Sequence, residues 1–287
     1  MARISNEQAG NLVRESGEAA LHHTRRYSIV SRGERREYRI SVAMPVQEPP
    51  PSGFPVIYLL DANAVFATMV EAVRVQSRRP EKTGVVPAIV VGIGYRTEEP
   101  FAPERYYDFT LPVPIEELPA KPDGTPWPEQ GGADAFLTFI EEDLKPQIAQ
   151  SYPVDSGRQT IFGHSLGGLF VLHTLFTRPE AFQTYIAGSP SIHWNRRCIL
   201  EEERQFPEKL EQIHSPGQRN VDVLIAVGEL EGRHPSGMNG NAMEMAQRLA
   251  SLANRGVRAE FKQFEDEGHV SVLPVLISRA LRFALRP

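Results

Sequence analysis

Gly163-His164-Ser165-Leu166-Gly167, with Gly168 directly behind it, is the stretch on which the reading of this chain turns. Before it stands the short apolar run 160–162, which has strand character. After it, residues 166–178 are helix-forming and end near Pro179. A serine framed by glycines between a strand and a helix fits a sharp turn that lifts the hydroxyl clear of the backbone. Glycines two residues before and after it leave space where side chains would collide. The helix starting behind the serine aims backbone N–H groups at the same point, where developing negative charge is stabilised.

Working outward, the runs 56–60 and 87–93 are short and almost wholly apolar, as strands buried on both faces must be, and 181–187, 221–227 and 257–264 also read as strands. Helical periodicity separates them at 64–76, 133–152, 242–254 and 271–285. Two earlier strand-like runs, 26–30 and 37–44, flank the turn Ser31-Arg32-Gly33. The expected fold is α/β: a mainly parallel twisted sheet, helices on both faces, and an N-terminal antiparallel hairpin. Residues 1–25 read as a polar helical extension and 26–287 as a single domain. Residues 95–132 are rich in Pro and Gly and read as a lid-like excursion. The arginines at 25, 26, 32, 35 and 36 are expected to decorate exposed strand edges.

Composition narrows the function. The 287 residues include 41% hydrophobic ones but no apolar run of about 18 residues, so no membrane-spanning helix is expected. The first twenty residues lack the apolar core of a secretory leader, and a cytoplasmic protein is the expectation. Cys198 is the only cysteine, which excludes an internal disulfide and a Cys-rich metal site. The net charge is −5 with no basic block, so nucleic acid is not an expected partner. A small-molecule substrate is.

A serine hydroxyl is a weak nucleophile until a base takes its proton. His269 is the candidate base: it follows the last strand, late in the chain, in Glu267-Gly268-His269. His22, His23 and His173 lie upstream or within a helix, and His214 and His234 lie in loops. The orienting acid is sought after the run 221–227, in Gly228-Glu229-Leu230-Glu231. Glu231 is preferred, because the third residue past the glycine swings towards the histidine; Glu229 is the alternative. For the oxyanion hole the donors are the backbone N–H of Leu166 and that of Asn63, in the loop Asp61-Ala62-Asn63. Asp61 either touches substrate, orients that loop, or caps the next helix. His164 is a further candidate substrate contact.

With those residues assigned, the chain resembles the Putative esterase branch of the α/β hydrolases. That branch includes siderophore trilactone esterases, S-formylglutathione hydrolase, feruloyl esterases and mycolyltransferases. The resemblance rests on Tyr58-Leu59-Leu60-Asp61-Ala62-Asn63, Arg105-Tyr106-Tyr107-Asp108-Phe109-Thr110, the Ser165 motif, Ser189-Pro190-Ser191-Ile192-His193-Trp194 and Gly228-Glu229-Leu230-Glu231. Within the branch it is most similar to the enterobactin, salmochelin and bacillibactin esterases. It implies an α/β-hydrolase fold and a carboxylic ester hydrolase with Ser165 and His269 as the reacting pair. It implies neither a metal nor an organic cofactor. It also implies an anionic, aromatic substrate, for which Arg105, Tyr106, His193, Trp194, Arg196 and Arg197 offer cations and ring faces. Esters of sugars, thioesters, acyl transfer to another acceptor, and a non-catalytic binding protein on the same scaffold are the rival expectations.

Overall fold

Strands β3 (Phe54–Leu59) and β4 (Ile89–Gly94) are buried at every residue, the behaviour expected of apolar runs covered on both faces. They sit within one eight-stranded sheet in this computed structural model, which describes residues 21–114, 116, 118, 121, 124–213 and 221–287. The other strands are β1 (Thr24–Val30), β2 (Glu37–Ala43), β5 (Val154–His164), β6 (Thr184–Gly188), β7 (Val221–Gly228) and β8 (Val257–Phe264). Their order across the sheet is β1-β2-β4-β3-β5-β6-β7-β8. β2 pairs antiparallel with both β1 and β4, and all later pairings are parallel. The expected hairpin and mainly parallel sheet are therefore present. Of the helical extension expected over residues 1–25, residues 1–20 lie outside the described ones, and the rest is not helical: Thr24 and Arg25 already belong to β1.

Two apolar layers cover the sheet. Helices α1 (Ala62–Gln76) and α6 (Val272–Ala284) share one core through Met69, Val73, Leu276 and Ile277. On the other face lie α2 (Ala133–Thr138, continuing through Phe139–Leu144 and Lys145–Ser151), α3 (Leu166–Thr177) and α5 (Met238–Ala250). α3 is buried from Leu166 to Phe176, as a helix apolar all round must be. The middle of α2 widens into a π turn before Pro146, which has no N–H for the Glu142 carbonyl. Arg32 donates to that carbonyl instead.

Two elements differ most from the sequence expectation. β5 runs for eleven residues rather than three; its polar first half is only partly buried. The second is α4 (Arg196–Ile213), to which the pattern assigned nothing. Its sequence is dense in charge and interrupted by Pro207. Few residues anchor it: Ile199, Phe206 and Leu210 are buried, and Phe206 meets the Phe176 ring edge-on at 5.4 Å. Burying Phe206 contributes about 2–3 kcal/mol.

The order of the strands sets the position of the site. The connection after β3 runs to β4 and the one after neighbouring β5 runs the opposite way to β6, so a crevice opens beyond the C-terminal ends of these two strands. Asp61, Ser165, Ser189, Glu231 and His269 follow the C-terminal ends of β3, β5, β6, β7 and β8 respectively.

Candidate active site

Ser165 occupies the turn between β5 and α3 with φ 59° and ψ −117°, a conformation that L-residues rarely hold. Surrounding packing imposes it. A Cβ on Gly163 would come within 2.2 Å of the Gly167 carbonyl oxygen, and one on Gly168 within 2.6 Å of the Gly188 oxygen. Gly167 is different: a Cβ there would find only ordinary contacts, at 3.4 Å and beyond. The crowding that demands glycine thus falls on Gly163 and Gly168, one residue later than the expected spacing.

A chain of hydrogen bonds leads away from the serine. Ser165 Oγ lies 3.0 Å from His269 Nε2, and His269 Nδ1 lies 2.7 Å from Glu231 Oε2. The other carboxylate oxygen accepts from the Ser189 hydroxyl at 2.7 Å and from the Gly228 N–H at 2.6 Å. Burial works against charge on Glu231, but the bonds from His269, Ser189 and Gly228 outweigh it and hold the carboxyl below its ordinary range. Glu229 is turned outward and accepts from the Asp266 N–H. A helical turn, Glu229–Arg233, separates the two glutamates, and it places Glu231 under the histidine.

As the first residue of α3, Leu166 has no acceptor for its N–H within the helix, and Asn63 is in the same situation at the start of α1. The Asn63 side chain is latched elsewhere. Its amide donates to the Tyr95 and Thr97 carbonyls, and its oxygen accepts from the Tyr95 N–H. That clamp fixes the loop after β3 against the end of β4.

Ser165 opens into a cavity of about 470 Å³ lined by Arg105, Tyr106, His193, Trp194, His234 and Met238, among others. Tyr106, Trp127 and Trp194 form an aromatic cluster, with the two indoles edge-on at 4.7 Å. A second groove of about 720 Å³ shares His193 and Trp194 with the first and carries Arg196, Arg197 and Arg204. Among the described residues, no group of three His, Cys, Asp or Glu side chains is placed to hold a metal ion. None of the described helices is long and apolar enough to cross a membrane.

Residues 31–272 match the model of the family described as Putative esterase. The chain belongs to that family. This esterase is 60% identical to the Ferri-bacillibactin esterase BesA of Bacillus subtilis (strain 168) over 257 residues, 90% of this chain and 88% of that protein. It is 40% identical to the Siderophore enterobactin esterase of Emericella nidulans, over 79% of this chain and 80% of that one. The crystal structure of a BES protein from Bacillus cereus superposes with a TM-score of 0.88 at 45% identity, covering 96% of this chain and 100% of that one. The fold is that of the α/β hydrolases, and the esterase is a carboxylic ester hydrolase.

Other expected site residues are placed less simply. Asp61, in left-handed conformation at φ 51°, does not cap α1 with its side chain. It grips Arg105 through two bonds, at 2.8 and 2.9 Å, in a buried pair. Arg105 still lines the cavity, but its charge is already matched. Burial opposes that charge, and Asp61 more than offsets it. His164 does not reach the cavity wall. It is 4% exposed and its ring lies 4.6 Å from that of His269. Burial, and then the neighbouring His269, push its pKa down to about 3, so the ring is neutral. Trp194 is tied back by its indole N–H to Gln130, at 2.9 Å, and lines the cavity.

Two side chains were not expected at the site. Ser191 Oγ lies 3.2 Å from Ser165 Oγ, and Ser189 Oγ reaches Glu231. Ser189-Pro190-Ser191 was visible in the sequence only as part of a longer similarity, with nothing local to mark either hydroxyl.

Proposed function

We propose that the esterase works through a Ser165–His269–Glu231 catalytic triad and acts on siderophore trilactones. The observation that carries the mechanism is the unbroken hydrogen-bond chain from Ser165 Oγ through both ring nitrogens of His269 to Glu231. His269 takes the Ser165 proton on Nε2 as Oγ attacks an ester carbonyl. Glu231 keeps the imidazole in the tautomer with Nδ1 protonated and stabilises the imidazolium that forms. The N–H groups of Leu166 and Asn63 receive the oxyanion. His269 then protonates the departing alcohol, and the Ser165 acyl ester remains. Water, deprotonated by the same histidine, attacks that ester and releases the acid.

The substrate assignment is supported by relatives that act on bacillibactin and enterobactin, and by the chemistry of the cavity. Trp194 and Tyr106 offer ring faces to aromatic arms, and the groove beyond Trp194 presents the exposed Arg196 and Arg197 to anionic ones. In this reading Arg105 shapes the wall and holds Asp61, while the cations that meet substrate charge are those of α4. His164 and Asp61 support the site from beneath. From the excursion, Arg105 and Tyr106 line the cavity beside Ser165.

The test compares wild type with Ser165→Ala on a short p-nitrophenyl ester and on a tris-catecholate trilactone, with and without bound iron. The expected result is rapid trilactone opening, slower cleavage of the simple ester, and neither reaction in the variant. Cleavage of the simple ester alone overturns the substrate; full activity in the variant overturns the mechanism.

A further inference from the structure

The turn between β6 and α4 touches the hydrogen-bond chain at both ends. Ser191 is 5% exposed, its Oγ lies 3.2 Å from Ser165 Oγ, and its N–H donates to the Ser165 carbonyl at 3.1 Å. Two residues earlier Ser189 is fully buried, with its hydroxyl on Glu231 Oε1. Its backbone sits at φ 40°, where a serine is strained and a glycine would be at ease. The strain is maintained by packing: the Ser189 N–H donates to Ala226 at 2.6 Å, and Pro190 lies against Gly168, where a Cβ would meet Pro190 Cα at 3.1 Å.

The direction of the Ser165–Ser191 bond follows from counting protons. The Glu231 carboxylate only accepts, so His269 Nδ1 carries the proton between them, and neutral Nε2 must accept from Ser165. Ser165 has then committed its one proton, and Oγ can receive from Ser191 but not give to it. As that proton moves to Nε2, charge grows on Oγ, and a bond donated to an oxyanion is shorter and stronger than one donated to a hydroxyl. When Oγ has bonded to the ester carbon it is a poor acceptor, and the Ser191 hydroxyl is released. Its contribution is greatest where the charge on Oγ is greatest. Deacylation runs the same step backwards, with Oγ expelled and reprotonated by His269.

We propose that the turn Ser189-Pro190-Ser191 is a working part of the catalytic centre. Ser191 is a further catalytic residue that donates to the Ser165 oxygen as its proton leaves. Ser189 is a positioning residue that holds the Glu231 carboxylate for His269. The proposal rests on the catalytic reading above.

The experiment uses the full chain as wild type, Ser191→Ala, Ser191→Thr and Ser189→Ala. It measures the phosphonylation rate with a fluorophosphonate probe, the mass gained at Ser165, and kcat and KM for a p-nitrophenyl ester across the pH range. Ser191→Ala is expected to slow phosphonylation and kcat by about tenfold to a hundredfold with KM nearly unchanged, and Ser191→Thr to recover most of the rate. Ser189→Ala removes a donor from Oε1 and concentrates charge on the oxygen facing His269. The acid limb of kcat/KM should therefore move to higher pH. A Ser191→Ala enzyme at wild-type speed, or a Thr variant as slow as Ala, overturns the role of Ser191. An unmoved acid limb overturns that of Ser189. If wild type gains no mass at Ser165, the catalytic reading itself fails; if Ser165 is labelled equally fast with and without the Ser191 hydroxyl, only the present inference does.

Discussion

Among the described residues, two histidines meet carboxylates, and they do so to opposite ends. His269 stands at the end of the sheet with its side chain 39% exposed, one carboxylate at Nδ1 and a serine hydroxyl at Nε2. His173, inside α3, is 3% exposed and lies between two carboxylates, Glu202 at 2.9 Å from Nδ1 and Asp134 at 3.4 Å from Nε2. Burial alone would favour a neutral ring there, but the two acids more than offset it and raise the pKa to about 9. His173 is therefore a fixed cation that ties α2 and α4 to α3. His269 has a proton donor where His173 has a second anion. What faces the second nitrogen, rather than the presence of a carboxylate, separates a histidine that can pass a proton from one that cannot.

The largest expected effect breaks the first pair at its far end. Ser165→Ala should lower kcat for the p-nitrophenyl ester by about a million-fold while the thermal midpoint stays near that of wild type. Next comes the acid. Glu231→Gln leaves the imidazole free to adopt the wrong tautomer and should lower kcat by about ten-thousand-fold. Glu229→Gln, altering an outward side chain, should stay within about twofold of wild type. Equal losses in the two glutamate variants would show that the pairing at Glu231 is not what orients His269.

How much of this was legible depended on how local each signal was. β3 and β4 could be read because strands covered on both faces need apolar residues throughout, and β7 because Asp222 alone breaks its run. The outer half of β5 could not, since its polar residues extend past the buried centre of the sheet. α4 was hidden by its charge and by Pro207, which mask a stripe of three buried residues. At the site, the turn carrying Ser165 is encoded within six residues. The choice of Glu231 over Glu229 depends on one helical turn, which begins after Gly228, where a Cβ would meet the Glu267 carbonyl at 2.3 Å. The Asp61–Arg105 pair joins positions 44 residues apart, and the two serines of the β6 turn acquire partners only when β5, β6 and β7 are assembled. No local pattern records such meetings.

The second histidine should register in stability rather than rate. His173→Gln leaves Glu202 and Asp134 without their cation and should destabilise the fold by about 3 kcal/mol. For a chain of this size that amounts to a fall of roughly 6–12 °C in the thermal midpoint. kcat should be preserved, since α3 would still present Leu166 and Ser165. A large loss of kcat at full stability would place His173 in the reaction and erase the distinction between the two histidines.

The pH dependence of stability is a finer probe of the same cation. A histidine whose folded pKa is raised binds its proton more tightly in the folded state, so its contribution is fully present below the unfolded value of about 6.5 and is lost as pH rises through about 9. Wild type should accordingly lose stability between neutral and alkaline pH, with about 2 kcal/mol of the loss due to this residue. The wild-type slope alone is ambiguous. Asp108, held by the Tyr38 and Tyr95 hydroxyls, is raised by burial to about 7, and an acid with a raised folded pKa also loses stability as pH rises towards that value. Subtracting the His173→Gln curve removes the Asp108 contribution, which both proteins share. Denaturant unfolding at several pH values would give both curves. A difference that shrinks as pH rises from 7 to 9 is the signature of a buried imidazolium; a constant difference would mean that His173 is neutral in the folded protein and packs as an ordinary ring.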